Sequence, residues 1–244
     1  MKKVIILGDK GMLGHMVKKY LKQYYNIITI PYRWPDQKFK SAIQETDADF
    51  LVNCIGAIPQ KTNQYEVNTE LPIWLENNFE GRIIHPGTDC EIDNDSYGTS
   101  KREASDYLKE NGTKTKIIKT SIIGPELKDH SSLLDWFLYN QDEKVYGYEE
   151  AMWSGVTTLT WAKECSKLLN NWDDYEKETI LESTCISKYN LLSLFKEVFD
   201  KNIEIEAVPN KGKDKCLKGK IIDLSIKEQL YELKEFYYGV GSKS

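Results

Sequence analysis

The chain has 244 residues, 40% of them hydrophobic and 29% charged, the balance of an ordinary globular protein. That length holds one large α/β domain, or one domain with a small appended lobe. A formal net charge of −5 gives the molecule as a whole no attraction to nucleic acid or anionic lipid, and no stretch approaches the roughly 18 apolar residues of a membrane span.

The predicted elements alternate from the start. Val4 to Leu7 is a continuous apolar run ended by glycine, the pattern of a strand buried on both faces. Leu13, Met16, Val17, Tyr20 and Leu21 then recur at helical spacing. Asn26 to Ile30 reads as a second strand stopped by Pro31, Phe50 to Val52 as a third, Arg82 to His85 as a fourth and Lys116 to Lys119 as a fifth. Phe39 to Glu45, Glu66 to Asn77 and Ser100 to Asn111 read as the helices between them. This spacing predicts right-handed βαβ crossovers and a Rossmann-type, doubly wound parallel sheet over residues 1–125, an α/β fold.

After Gly124-Pro125 the regularity weakens. Ser132 to Tyr139, Thr158 to Leu169, Tyr189 to Phe199 and the polar tail Ser225 to Tyr238 read as helices. Ile203 to Val208 alternates as a short strand, and a further strand of the main sheet is expected at about 179–183. Residues 126–244 are expected to form a small substrate-binding lobe woven onto the first domain. The five cysteines, at 54, 90, 165, 185 and 216, form no CxxC pair, and the three histidines do not cluster. A disulfide framework and a metal site are therefore unexpected, and the chain reads as cytoplasmic with free thiols. The apolar run after Met1-Lys2-Lys3 is too short for a signal peptide.

Gly8-Asp9-Lys10-Gly11-Met12-Leu13-Gly14 follows the first strand and opens the first helix. Glycine serves there in a tight turn, in a close approach of pyrophosphate to backbone, and in helix–strand packing. The helix N-terminus adds free N–H groups and a partial positive charge. Gly8, Gly11, Met12, Leu13 and Gly14 are thus the expected phosphate cradle of a dinucleotide. After the second strand no carboxylate occurs before Asp36, while Arg33 is placed to meet a ribose 2′-phosphate. NADP(H) is the favoured cofactor, with NAD(H) as the alternative. Cys54, Ile55 and Gly56, ending the third strand, are expected beside it, Cys54 also reading as a packing residue.

Tyr97 and Lys101 stand four apart, on one face of the helix they open. A free phenol has a pKa of about 10, and bringing it near 7 takes about 4 kcal/mol of differential stabilisation. A nearby ammonium together with the positive nicotinamide of the oxidised cofactor, in a dry pocket, is the expected source. Tyr97 then moves the proton to or from a carbonyl oxygen during hydride transfer, Lys101 tunes it and holds the nicotinamide ribose, and Thr88, leaving the fourth strand, holds the same oxygen.

These residues together resemble the extended short-chain dehydrogenase/reductase family, in its nucleotide-sugar branch of dTDP-4-dehydrorhamnose reductase-like proteins. The resemblance runs from Met1 to about Lys167 and more faintly to Leu217. It rests on the GxxGxxG of Gly8, Gly11 and Gly14, on Val67-Asn68 with Pro72, on Thr88-Asp89, on the YxxxK of Tyr97 and Lys101, on Lys119-Thr120-Ser121 with Gly124, and on Gly155-Val156-Thr157-Thr158 after Trp153. It implies a nucleotide-sugar substrate, NAD(P) use, a part in polysaccharide biosynthesis, Asn68 as a support of the active site, Ser121 near the nicotinamide, and Asp89, Cys90, Trp153, Gly155 and Thr157 near the sugar. The chain departs from the pattern at Cys90-Glu91-Ile92-Asp93, where an aromatic residue and Phe-Asp-Gly are usual, and at Lys119, where arginine is usual. The leading expectation is an NADPH-dependent keto reductase acting on a nucleotide-activated deoxysugar, without nucleic-acid or membrane partners; a homodimer stays open. One alternative is an epimerase or epimerase–reductase using Cys90 with His130. The other is a dinucleotide-binding sensor without turnover. Lys211, Lys213 and Lys215 read as solvated surface, and His85 as structural.

Overall fold

Apolar periodicity and helix caps account for most of the elements in the computed structural model. It describes residues 1–239, and positions 240–244 of the expected C-terminal lobe lie outside the described residues. In chain order the elements are β1 (Lys3–Leu7), α1 (Met12–Leu21), β2 (Asn26–Thr29), α2 (Gln37–Glu45), β3 (Phe50–Asn53), α3 (Glu66–Asn78), β4 (Arg82–Gly87), a 3₁₀ turn (Asp89–Ile92), α4 (Ser96–Asn111) and β5 (Thr115–Lys119). There follow β6 (Ile122–Ile123), α5 (Leu133–Tyr139), β7 (Lys144–Tyr148), β8 (Met152–Trp153), β9 (Val156–Thr157), α6 (Thr158–Asn170), β10 (Glu178–Glu182), β11 (Ile186–Ser187), α7 (Lys188–Phe199), β12 (Glu204–Val208), β13 (Lys220–Ile221) and α8 (Ile226–Tyr238).

The main sheet has seven strands in the order β13-β10-β5-β4-β3-β1-β2. The chain divides into two units, Met1–Lys119 with Ala162–Thr179, and Thr120–Trp161 with Ile180–Ser244, and β10 begins in one and ends in the other.

In the first unit β2, β1, β3, β4 and β5 run parallel, with Val4 opposite Ile27 and Phe50, and Gly87 opposite Lys119. Val4, Ile5, Ile6 and Leu7 are all buried, as the unbroken apolar run requires of a strand covered on both faces. Ile5, Leu7 and Leu51 pack with Phe39, Ile43, Leu71 and Leu75 from α2 and α3. Asp36 caps α2 by accepting from the Lys38 N–H, and Asp95 caps α4 by accepting from the Gly98 N–H at 2.6 Å. The strand order reverses beside β1, between β1 and β3, and the crevice at the carboxyl ends of such strands is where open α/β sheets bind ligands.

In the second unit β7 and β12 pair in parallel over Lys144–Tyr148 and Glu204–Val208, with α7 against both. Ser225 and Glu228 form a capping box at the start of α8. Cys185 and Cys216 are joined in a disulfide, so the expectation of free thiols is corrected at these two positions. Backbone bonds between Met152 and both Lys213 and Lys215 fold the 209–219 segment onto β8, and β8 pairs with β11 beside Cys185. The two thiols meet through this folding, which a separation of 31 residues does not announce.

Candidate active site

The glycine turn has the geometry that the sequence implies. Gly8 has φ +70°, and a Cβ on it would stand 2.7 Å from the Cys54 carbonyl oxygen. A Cβ on Gly14 would fall 2.1 Å from the Gly8 oxygen, so α1 crosses the turn at a distance only glycine permits. Gly11 is the N-cap of α1 and has no side-chain cap, and the first turn of the helix carries no acidic residue. A Cβ there would meet only Gly8 O, at 3.4 Å. The uncapped N–H groups of a ten-residue helix and an open face at Gly11 fit a dinucleotide diphosphate. Arg33 is exposed, and its backbone oxygen accepts from the Asp36 N–H at 2.9 Å.

Beyond β3, Asn53 is fully buried and its Oδ1 accepts from the Ile55 N–H at 3.2 Å. Cys54 is half-buried, and burial pushes its thiol pKa up. Asn68 on α3 accepts from the Ala57 N–H at 2.7 Å and donates to Ala57 O at 3.0 Å and to Ser100 Oγ at 3.1 Å. Ser100 Oγ in turn donates to Tyr97 O at 2.7 Å. One buried amide thus ties the Cys54–Ala57 loop to the helical turn that carries the tyrosine.

Thr88 and Tyr97 meet beyond β4, and Lys101 stands one turn further along α4 from Tyr97. The Thr88 hydroxyl is hydrogen-bonded to the Tyr97 phenol, donates to Asp89 Oδ1 at 3.0 Å and accepts from the Cys90 N–H at 3.3 Å. The Cys90 thiol donates to the same Asp89 oxygen at 3.6 Å. The Tyr97 ring packs edge-on against Tyr65, with centroids 5.7 Å apart. Lys101 is buried, donates to Pro86 O at 2.8 Å and lies 3.5 Å from His85 Nε2. His85 Nδ1 lies 3.4 Å from Asn53 Nδ2.

The protein's own groups do not by themselves supply the expected lowering at Tyr97. Tyr97 is held above the ordinary phenol range, mainly by burial and also by Cys90, Asp89 and Glu91, against the lowering effect of the Thr88 hydrogen bond. Lys101 is not among the causes, and its ammonium donates to the Pro86 carbonyl oxygen. Lys101 itself falls from 10.5 to about 8, chiefly through burial, with Glu91 pulling the other way. Burial, then the Lys101 charge, holds His85 well below the usual imidazole range, so it is neutral at physiological pH.

No protein-family model matches the sequence, and no curated protein matches it. Solved structures do match. A dTDP-4-dehydrorhamnose reductase from Bacillus anthracis in complex with NADP aligns with a TM-score of 0.72 at 15% identity, covering 95% of this chain and 97% of that one. A dTDP-4-dehydrorhamnose reductase from Clostridium acetobutylicum gives 0.73 at 16%, covering 97% and 99%. A dTDP-glucose 4,6-dehydratase from Bacillus anthracis in complex with NAD gives 0.73 at 14%, covering 98% and 97%. The chain shares the fold of these structures. At these identities the likeness carries the fold and leaves the activity to the residues themselves.

The structure brings Gly8, Gly11, Met12, Leu13, Gly14, Cys54, Ile55, Gly56, Thr88, Asp89, Cys90, Tyr97 and Lys101 into the first unit. Ser121, Trp153, Gly155 and Thr157 are in the second. There Ser121 O accepts from the Val156 N–H at 2.9 Å, and a Cβ on Gly155 would fall 2.2 Å from that oxygen. Trp153 is buried with no partner for its indole N–H among the described residues, under the Lys188 ammonium at 5.2 Å. Thr157 is fully buried, and its Oγ1 accepts from the Thr160 N–H at 3.1 Å. His130 has φ +46°, stacks on Tyr139 at 3.7 Å and holds Asp135 Oδ2 at 2.9 Å through Nδ1. Among the described residues the only cluster of three metal-ligating groups is Cys185, Asp214 and Cys216, and its two sulfurs are bonded to each other.

Sequence reasoning passed over Glu91 as a functional residue. It is 3% exposed and forms a capping box with Thr88. The signal was present as Thr88-Asp89-Cys90-Glu91, the S/T-x-x-E spacing of that motif.

Proposed function

We propose that this chain is an NADPH-dependent reductase of a keto group on a nucleotide-activated deoxysugar. The observation that carries the reading is the hydrogen-bonded Thr88 and Tyr97 beyond β4, with the buried Lys101 one turn along the same helix, in the same unit as the uncapped N-terminus of α1. The N–H groups of Met12, Leu13 and Gly14 would hold the diphosphate, and Arg33 the 2′-phosphate. When bound, the dinucleotide supplies a hydride to the carbonyl carbon. Tyr97 keeps its proton at neutral pH, because burial favours the uncharged phenol, so it serves as the acid that gives a proton to the carbonyl oxygen. The Thr88 hydroxyl orients the phenol, and Lys101, cationic below about pH 8, supplies the positive charge near the phenolate left behind. The structures of similar fold include reductases and a dehydratase; the preference for reduction rests on an acid-ready Tyr97.

The epimerase–reductase reading needs a thiolate at Cys90, whereas here its S–H is a donor to the Asp89 carboxylate. The experiment is NADPH oxidation with a panel of nucleotide keto sugars. Turnover of at least one of them, lowered by roughly 10² to 10⁴ in Tyr97→Phe with NADPH binding kept, is the expected result. Cofactor binding without turnover of any keto sugar would favour the sensor, and an undiminished Tyr97→Phe would end the assignment.

A further inference from the structure

We propose that Glu91 and Lys119 are a positioning pair that holds Thr88 in register with Tyr97. The kinetic part of this rests on the reductase reading above; the anchoring of Thr88 does not. The 3₁₀ turn Asp89–Ile92 is four residues long, and such turns hold themselves weakly. Glu91 supplies what the turn lacks. Its Oε1 accepts from the Thr88 N–H at 3.0 Å and from the Ser105 hydroxyl at 3.0 Å, and its Oε2 accepts from Lys119 Nζ at 2.7 Å. Lys119 ends β5 and Ser105 lies on α4, so one carboxylate joins the turn to a strand and a helix. The Thr88 backbone is fixed by Glu91, while its hydroxyl is shared among Asp89, Cys90 and Tyr97.

The surroundings are built around this carboxylate. A Cβ on Gly87 would stand 3.0 Å from Glu91 Oε1 and 3.1 Å from Lys119 Cβ, so the last residue of β4 has to be small for the pair to fit. Both partners are shielded, Glu91 at 3% and Lys119 at 13% side-chain exposure. Buried ion pairs of this kind are often matched in stability by apolar residues. What an apolar residue cannot supply is the oriented acceptor oxygen that Thr88 and Ser105 share. The exit of the turn is held separately, because Arg102 donates to Glu91 O at 2.7 Å and to Asp93 O at 3.0 Å. Loss of the carboxylate should therefore release Thr88 without unravelling the turn.

Two double variants separate positioning from charge pairing. E91M/K119M removes the ion pair and the acceptor; E91Q/K119M removes the ion pair and keeps an acceptor oxygen. E91M/K119M should lose kcat on the order of 10²-fold, the scale of a misplaced catalytic group, with KM for NADPH within about 3-fold of wild type. E91Q/K119M should turn over at least roughly tenfold faster than E91M/K119M. Hydrogen exchange of the Thr88 amide reports the anchor without any turnover, and should be fast in E91M/K119M and slow in E91Q/K119M and wild type. If E91M/K119M does not fold, Gly87→Ala presses a Cβ on the same carboxylate and should lower kcat and speed the same amide in smaller measure. Equal kcat and equal Thr88 exchange in the two double variants, or an unchanged Gly87→Ala, would overturn the proposal. Slow and fast amides as expected, in a protein that turns over no keto sugar, would instead sink the reductase reading and leave the anchor standing.

Discussion

Replacing Lys101 with methionine should separate stability from catalysis. Lys101 is 7% exposed, and its ammonium donates to Pro86 O at 2.8 Å. Burial brings its pKa from 10.5 to about 8, against the pull of Glu91. That drop corresponds to about 3 kcal/mol of penalty on the charged form at neutral pH. Because the folded pKa lies below the unfolded one, the unfolded chain keeps this proton between pH 8 and 10.5 while the folded chain gives it up. The contribution of Lys101 to stability therefore rises with pH across that window. Lys101→Met has no such titration. The unfolding free energy of wild type minus that of Lys101→Met, from urea titrations at pH 7 and pH 10, should climb by about 2 to 3 kcal/mol. Subtracting the variant removes the titration of the other lysines and tyrosines from the comparison. A difference that stays flat or falls with pH would refute the buried, charge-strained lysine. The same variant should lose reductase activity throughout the range, and wild-type kcat should decline above pH 8 as the ammonium is lost.

Arg33→Ala should weaken NADPH binding roughly 10- to 100-fold, the worth of a charge-assisted hydrogen bond, and leave NADH nearly untouched; calorimetric titration of both decides it, and tighter NADH than NADPH in wild type would contradict the 2′-phosphate role. Gly14→Ala places a Cβ 2.1 Å from the Gly8 oxygen. It should abolish cofactor binding and lower Tm, and a soluble variant with wild-type cofactor affinity would show that α1 does not cross the turn as described. Closing a loop across 31 residues contributes about 3 to 4 kcal/mol by the chain-entropy relation. Cys185→Ser and dithiothreitol should thus lower stability alike, and an oxidised wild type no more stable than Cys185→Ser would mean the bond does not form.

The strand–helix alternation through β5 was legible because each element carries its own signal. Val4 to Leu7 is apolar without interruption, Pro31 stops the segment that ends as β2, and the glycines stand where two backbones nearly touch. The placement of Thr88, Tyr97 and Lys101 after β4 was legible from their order along such a sheet. The β7–β12 pair was half legible. Glu204–Val208 alternates, but Lys144–Tyr148 contains Gly147, which reads as a breaker until one sees that a Cβ there would stand 2.8 Å from Tyr189 Cα. The direction of the Tyr97 shift was not legible. Spacing puts a lysine on the same helical face, and only the fold shows the burial of the phenol that outweighs it. The Cys185–Cys216 bond likewise depends on how the 209–219 segment returns to β8.

The central claim is proton donation by Tyr97 coupled to hydride transfer on a keto sugar. It is tested most directly by incubating the protein with NADPH deuterated at the transferring position and a nucleotide keto sugar, then locating the label by mass spectrometry and NMR. The account predicts one deuterium on the former carbonyl carbon with wild type, and transfer slowed by roughly 10² to 10⁴ in Tyr97→Phe, which binds NADPH as well as wild type does. Label that never reaches carbon with any keto sugar, or that reaches it as fast in Tyr97→Phe, would contradict it.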